Sequence, residues 1–151
     1  YADVLAKATA WFDVNRCGPD VAVNNVFSSW RGACHTGDAV TGGFHDAGDH
    51  VKFGLPAAFS ASAMGGSLYE FKSEYDNAGA TTKAFQVLKL FSDYFMKSWN
   101  GNSFIIQIGD GGSDHAYWGP PETQTTARPS YTSSTASDIN GGRLGFNVLK
   151  L

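Results

Sequence analysis

Residues 2–15 form a segment in which apolar side chains recur every three or four positions. They are Val4, Leu5, Ala8, Trp11 and Phe12, and Asn15 continues the same spacing. This period places them on one face of an α-helix. Gly18 and Pro19 follow within a few residues, and both residue types interrupt helices, so the pattern predicts a first helix that ends near residue 16.

A second helix is predicted with Pro56 in its first turn and an end near Asn77. Its apolar positions step by four and three, and they are Ala57, Ala61, Met64, Leu68, Phe71 and Tyr75. Glu70 and Glu74 are separated by one helical turn on the side of this helix. We interpret these two carboxylates as part of a solvated face.

A third helix is predicted to begin at a capping Thr81 or Thr82 and to end near Trp99. Its inward positions are Ala84, Val87, Leu88, Phe91 and Phe95. The segment 104–108 is a short strand-like run. The segments 16–55 and 109–142 are rich in glycine and polar residues and are predicted to be loops, and 143–151 has no clear period. The pattern predicts an all-α array whose chemistry lies in its loops.

Length and composition narrow the functional classes. A chain of 151 residues is one ordinary domain, and its net charge of −3 provides no basic surface for nucleic acid. Aromatic residues make up 14% and charged residues only 17%. This balance suits a neutral polymer such as a polysaccharide, although a large aromatic core is the default explanation. No apolar run is long enough to cross a membrane.

Asp46 and Asp49 are the first candidates for chemistry, because only Ala47 and Gly48 separate them. Two carboxylates that face one water molecule acquire different proton affinities, which suits acid–base catalysis. A polar turn with capping aspartates is the simpler interpretation, since Asp is common in turns.

Cys17, Cys34, His35 and His45 are the second set of candidates. Two thiolates and two imidazoles form a typical tetrahedral zinc site, although this spacing is not that of a zinc finger. A Cys17–Cys34 disulfide and a pair of unlinked buried thiols are the alternatives.

Three blocks of sequence, in order, carry a family resemblance. They are 30–32 (WRG), 42–56 (GGFHDAGDHVKFGLP) and 107–122 (QIGDGGSDHAYWGPPE), the last followed by 127–131 (ARPSY). The sequence resembles glycoside hydrolase family nine, the inverting cellulases, over residues 1 to about 138, whereas 139–151 depart from the pattern. The resemblance implies the amino-terminal part, 1–151, of a catalytic domain and part of an (α/α)6 barrel.

The resemblance also implies roles for individual residues. Asp49 corresponds to the catalytic base, and Asp46 helps to hold the water. His115 corresponds to a residue that contacts the sugar beside the cleaved bond. Tyr117 and Trp118 are candidate sugar platforms, although Trp118 taken alone is more simply a core residue.

Some members of the family hold a structural zinc with ligands in the order Cys, Cys, His and His. The resemblance implies that Cys17, Cys34, His35 and His45 are the corresponding ligands. The resemblance implies no organic cofactor. Arg128 is predicted to be structural and to bind backbone carbonyls or a carboxylate, and His50 is predicted to support the base from behind.

The implied activity is hydrolysis of β-1,4-glucosidic bonds in cellulose or a related glucan, with inversion, by a secreted endoglucanase. The family's general acid is a Glu near the far end of a longer domain, and none of Glu70, Glu74 and Glu122 matches it. An incomplete piece that binds carbohydrate or serves as a zinc-stabilised scaffold is therefore the alternative. The expected partners are the glucan and either the remainder of the catalytic domain or a second copy, with neither nucleic acid nor membrane.

Overall fold

The computed structural model describes residues 1–22 and 29–133. The α-helices in this part of the chain are α1 (Ala2–Val14), α2 (Gly54–Glu70), α3 (Lys72–Asn77), α4 (Thr81–Ser98) and α5 (Gly111–His115). A single 3-10 turn covers Pro121–Thr123. The strands are β1 (Lys52–Phe53), β2 (Ile105–Ile108) and β3 (Ser130–Thr132).

The main core lies between α1, α2 and α4 and extends under the loop that carries the two aspartates. Phe91 of α4 is at its centre. The Phe91 ring stacks on Phe44 with centroids 3.8 Å apart and meets Phe12 of α1 edge-on at 5.7 Å. Because Phe44 directly precedes His45, the aromatic core anchors the loop at the point where the candidate chemistry begins.

The third predicted helix is confirmed as α4. Four of its predicted inward residues are buried, namely Ala84, Val87, Phe91 and Phe95, and Leu88 is half-buried. The predicted cap is wrong, because Ala80 occupies the N-cap position and makes no side-chain capping bond. Thr81 is already helical, and its hydroxyl donates instead to Asp76 Oδ1 at 2.6 Å.

The first predicted helix is confirmed as α1, but it faces in a different direction from the one its apolar pattern indicates. Val4 and Trp11 are 66% and 63% exposed. The buried positions are Thr9 and Asp13, and Asp13 forms a fully buried ion pair with Arg16, just beyond the helix, at 3.2 Å. A hydrophobic pattern cannot predict that a charged pair lies on the buried side of a helix.

The second predicted helix is two helices in the structure. The backbone leaves the α-helical region at Phe71 (φ −116°, ψ 35°), and α3 then begins at Lys72. Phe71 is exposed, contrary to the prediction, whereas Tyr75 is buried with its hydroxyl 3.2 Å from Ser67 Oγ. The exposed positions of Glu70 and Glu74 agree with the predicted solvated face.

The all-α prediction is incomplete, because an antiparallel sheet of order β1-β2-β3 lies beside the helices. Only β2 corresponds to the predicted strand-like run. Strand β1 lies in the predicted loop 16–55, and β3 and α5 lie in the predicted loop 109–142; these elements are too short to show a period. The remaining parts of these loops, 23–28 and 134–142, and the segment 143–151 lie outside the described residues. None of the described helices is long and apolar enough to span a membrane.

Candidate active site and metal centre

The sheet brings two loops together that are far apart in the sequence. Strand β1 begins three residues after Asp49, and β2 ends directly before Gly109, where the second loop starts. Lys52 and Ile108 are paired across the two strands. As a result His115 Nδ1 lies 3.5 Å from Asp49 Oδ2. The two residues that the family resemblance singled out in separate loops are therefore neighbours in space.

Asp46 and Asp49 lie on one short turn at the surface. The Asp46 N–H donates to the Val51 carbonyl at 2.9 Å, which closes the turn. The Asp49 side chain is 24% exposed and that of His115 is 85% exposed, so both are accessible to solvent. Partial burial and, secondly, the charge of Asp49 raise the pKa of Asp46 above its usual value. Both causes favour the protonated form of Asp46.

Buried histidines hold both ends of this turn. His45 immediately precedes Asp46, and His50 immediately follows Asp49. The His45 and His50 rings lie 5.0 Å apart, and the His35 ring lies 5.2 Å and 5.9 Å from them. The turn that carries Asp46 and Asp49, here called the acidic turn, is thus anchored at both ends to a cluster of three imidazoles, those of His35, His45 and His50.

Two of these histidines join two cysteines in a group that could hold a metal ion. One ligand atom from each of Cys17, Cys34, His35 and His45 lies within 4.8 Å of all the others. Cys17 Sγ is 3.4 Å from His35 Nδ1, and His45 Nε2 is 3.2 Å from the same nitrogen. A tetrahedral zinc ion would separate sulfur from nitrogen by about 3.6 Å and two nitrogens by about 3.3 Å. The observed distances fit that ion closely.

The protonation of the two imidazoles also suits a cation. Burial lowers the pKa of His35 to about 4 and holds that of His45 well below its usual value, so both imidazoles are neutral ligands. A hydrogen bond from Cys17 lowers the pKa of Cys34 to about 7, and the same bond raises that of Cys17. Both cysteines are free thiols in the structure rather than a disulfide.

Backbone contacts bring the metal-ligating segments together. The Cys17 N–H donates to the Gly43 carbonyl at 2.8 Å, and the Cys34 N–H donates to the Gly18 carbonyl at 3.2 Å. Gly18 has φ +119°, and a Cβ there would lie 2.8 Å from the Gly42 Cα atom. Glycine is therefore required at this crossing. A cavity of about 440 Å³ beside Cys34 provides a path to solvent for an ion.

A buried network of charges supports the site, and sequence reasoning identified only one of its members. Arg128 binds Asp38 at 2.7 Å, Asp114 at 3.3 Å and the His50 carbonyl at 2.9 Å, as its predicted structural role requires. Lys52 also binds Asp38, at 2.7 Å. The only local indication that Lys52 is buried is its position between two apolar residues, Val51 and Phe53, where a charged side chain is unexpected.

Gln124 connects this network to the histidines, and no local sequence pattern indicates this role. Its side-chain oxygen lies 2.8 Å from His35 Nε2 and 2.9 Å from His50 Nδ1. These partners are 89 and 74 residues away along the chain. His50 is therefore held in place by Gln124, a residue of the second loop.

The two aromatic candidates have different surroundings. Trp118 is 98% exposed, so its interpretation as a core residue is wrong. Tyr117 is half-buried, its ring lies 5.8 Å from that of His50, and its hydroxyl donates to the Pro120 carbonyl at 3.0 Å. Tyr117 therefore supports the histidine cluster, whereas the indole of Trp118 is free to meet a ligand.

Glu122 is committed to a structural contact. Its carboxylate accepts from Arg31 Nε at 2.7 Å and from the Gly32 N–H at 3.1 Å. Burial alone raises the pKa of Glu122, but these hydrogen bonds outweigh it, and the net pKa lies below the usual value. An ionised carboxylate of this kind accepts protons poorly and has none to donate at neutral pH.

The model of glycosyl hydrolase family 9 matches residues 1–142 of this sequence. The chain belongs to glycosyl hydrolase family 9. This membership confirms the resemblance carried by the three sequence blocks.

Curated members of the family are similar to this chain over most of its length. Endoglucanase A of Bacillus pumilus is 38% identical over 138 residues, which cover 87% of this chain and 21% of that protein. Endoglucanase B of Cellulomonas fimi is 40% identical over 143 residues, covering 90% of this chain and 14% of that protein. The chain thus spans about a fifth or less of the length of these relatives.

Solved family 9 structures superpose closely on this fold. The cellulase Cel9M of C. cellulolyticum is 49% identical with a TM-score of 0.84, over 99% of this chain and 38% of that one. It has also been solved in complex with cellobiose. Endoglucanase CelQ of Clostridium thermocellum, complexed with cellotetraose, is 35% identical with a TM-score of 0.84, over 99% of this chain and 26% of that one.

Proposed function

We propose that this chain is the amino-terminal part of the catalytic domain of a secreted endoglucanase that hydrolyses β-1,4-glucosidic bonds with inversion. In this proposal the helices form part of an (α/α)6 barrel, and the acidic turn lies in the cleft. The contact of 3.5 Å between His115 and Asp49 carries the proposal, because it brings together, at one accessible carboxylate, the two loops that carry the family resemblance. The relatives' bound cellobiose and cellotetraose indicate the substrate class.

Asp49 acts in this proposal as the general base that activates water. Asp46, on the same turn, accepts the second hydrogen of that water and directs its lone pair at the sugar. Inverting glycosidases need a carboxylic acid on the other side of the bond, about 6.5–9.5 Å from the base. His115, beside Asp49, binds a sugar hydroxyl next to the reacting carbon, and the exposed Trp118 ring covers the apolar face of a sugar ring.

The general acid comes from the remainder of the catalytic domain. Glu70 and Glu74 are exposed on α2 and α3, and Glu122 is held ionised by Arg31. The chain covers 38% of Cel9M, so most of such a domain lies outside the matched part. On its own the chain therefore has a base without an acid, and the second candidate function is carbohydrate binding without turnover.

Zinc is the ion that the metal group fits best. Two thiolates with two neutral imidazoles match the ligands that zinc prefers in closed structural sites. Cys17, Cys34, His35 and His45 would hold it, and its contribution is folding energy. Because His45 adjoins Asp46 in the chain, an ordered metal group keeps the acidic turn in place.

The catalytic assignment is tested by Asp49→Asn in the complete domain, assayed on soluble β-1,4-glucan. The variant keeps the shape of the side chain and removes the base, so kcat should fall by about 10²–10⁴-fold. Asp93→Asn, which alters an exposed aspartate on α4, is the control and should retain full activity. Near-normal turnover by Asp49→Asn would show that another group activates the water.

The zinc assignment is tested by native mass spectrometry together with elemental analysis. One zinc per chain is expected, and Cys17→Ser should lose it. The isolated chain should bind cello-oligosaccharides without cleaving them. A Cys17–Cys34 disulfide in the native protein would contradict the metal site, whereas glucan cleavage by the chain alone would contradict the missing acid.

A further inference from the structure

Gln124 lies between two chemically different groups. Its side-chain nitrogen Nε2 donates to Asp114 Oδ1 at 2.8 Å and to Thr126 Oγ1 at 2.7 Å. Its side-chain oxygen Oε1 faces His35 Nε2 at 2.8 Å and His50 Nδ1 at 2.9 Å. One amide therefore contacts a ligand of the metal group, the residue that follows Asp49, and the residue that precedes His115.

The ion pair behind Asp114 determines the direction of these hydrogen bonds. The Asp114 side chain is fully buried, and Arg128 lies 3.3 Å from its carboxylate. Arginine stays protonated in proteins, and an ionised carboxylate only accepts hydrogen bonds. The amide nitrogen of Gln124 must therefore face Asp114, and its oxygen must face the imidazoles. Since that oxygen also only accepts, His35 Nε2 and His50 Nδ1 must both carry protons.

These protons decide which nitrogen of each imidazole has a free lone pair. In His35 the lone pair is on Nδ1, which faces Cys17 Sγ and His45 Nε2 in the metal group. In His50 the lone pair is on Nε2, while the His50 carbonyl is held by Arg128 at 2.9 Å. The same amide thus orients a metal ligand and anchors one end of the acidic turn.

We propose that Gln124 is a positioning residue that fixes the tautomers of His35 and His50 and so couples the metal group to the turn that carries Asp49. The tautomer of His50 follows from the hydrogen-bond network alone. The role of the His35 tautomer rests on the proposed zinc site, because that tautomer directs the Nδ1 lone pair at the ion.

The test uses the full chain with ¹⁵N-labelled histidine, first reduced and free of metal. Two-bond ¹H–¹⁵N correlation spectra report which ring nitrogen carries the proton. The expected result is a proton on Nε2 of His35 and on Nδ1 of His50. Gln124→Met keeps the length of the side chain and removes the amide, so both histidines should become mixtures of tautomers.

Two further variants separate hydrogen bonding from shape. Gln124→Glu keeps a side-chain oxygen that accepts a hydrogen bond from both imidazoles. It should therefore keep both tautomers. Gln107→Met is the matched control, because Gln107 donates to the Gly109 carbonyl and not to this network; its histidine signals should match those of the unaltered chain.

Zinc affinity, measured by competition with a coloured chelator, is the second readout. Gln124→Met should bind zinc about 10–100-fold more weakly, as is typical when a partner of a metal-ligating histidine is lost. Unchanged tautomers in Gln124→Met would overturn the proposal. If that variant does not fold, mixed tautomers in Gln124→Glu would overturn it instead. An unaltered chain that binds no zinc would refute the metal site, while the ring-nitrogen signals would still decide the role of Gln124.

Discussion

Replacing Lys52 with methionine tests whether the buried charge network stabilises the loop beneath the active site. The Lys52 side chain is 1% exposed, and its ammonium group has three acceptors. They are Asp38 Oδ2 at 2.7 Å, the Val40 carbonyl at 2.7 Å and the Gly42 carbonyl at 2.9 Å. An ammonium group has three donors, so every one is used. Methionine has similar length and none of these donors.

The expected cost follows from what the substitution leaves behind. Removing one partner of a buried ion pair typically costs about 3–5 kcal/mol. Asp38 keeps its contact with Arg128 at 2.7 Å, which argues for the lower end of that range. The buried Val40 carbonyl and the partly buried Gly42 carbonyl each lose a donor. Each such loss costs about 1–3 kcal/mol, and the cost of breaking the ion pair already includes part of it. We expect Lys52→Met to lower the free energy of unfolding by about 4 kcal/mol.

Urea denaturation followed by tryptophan fluorescence measures this loss. Lys89→Met is the control, because Lys89 forms an exposed pair with Asp93 one helical turn away on α4. Such pairs contribute at most about 0.5 kcal/mol. A loss below about 1 kcal/mol for Lys52→Met, close to that of the control, would refute the view that this network stabilises the loop.

Two further predictions concern the acidic turn and the loop before it. Gly43→Ala should lower the free energy of unfolding by about 1–3 kcal/mol in the same urea assay, because Gly43 has φ +83° and a Cβ there would lie 2.8 Å from the Tyr94 ring. Gly37→Ala is the control and should be neutral, because a Cβ there would have no atom within 4 Å. Asp49→Asn should lower the pKa of Asp46 in an NMR titration, because the second cause of its raised pKa is removed; an unchanged value would assign the whole shift to burial.

Helix α4 shows which parts of the fold the sequence could predict. Its apolar period is long and regular, and the predicted bounds differ from Thr81–Ser98 by one or two residues. The direction of α1 could not be predicted, because its buried positions are the polar residues Thr9 and Asp13, and Asp13 is paired with the buried Arg16. Periodicity describes the burial of apolar groups and carries no information on buried ion pairs.

Some residues of the candidate site could likewise be predicted from the sequence, and others could not. The group of Cys17, Cys34, His35 and His45 could be proposed from residue chemistry and family resemblance, and the structure does bring the four side chains together. Gln124 could not be found, since glutamine has many structural uses and its partners are distant in sequence. The pairing of Lys52 with Asp38 depends on β1, which has only two residues and no detectable period.

The pairing of β1 with β2 has a consequence for loop engineering. Lys52 pairs with Ile108, so the number of residues from Asp49 to Lys52, and from Ile108 to His115, determines whether the two side chains meet. A shift of one residue in either strand would turn its side chains to the opposite face. Insertion libraries should therefore exclude these two short segments, since extra residues in either one would move Asp49 and His115 apart.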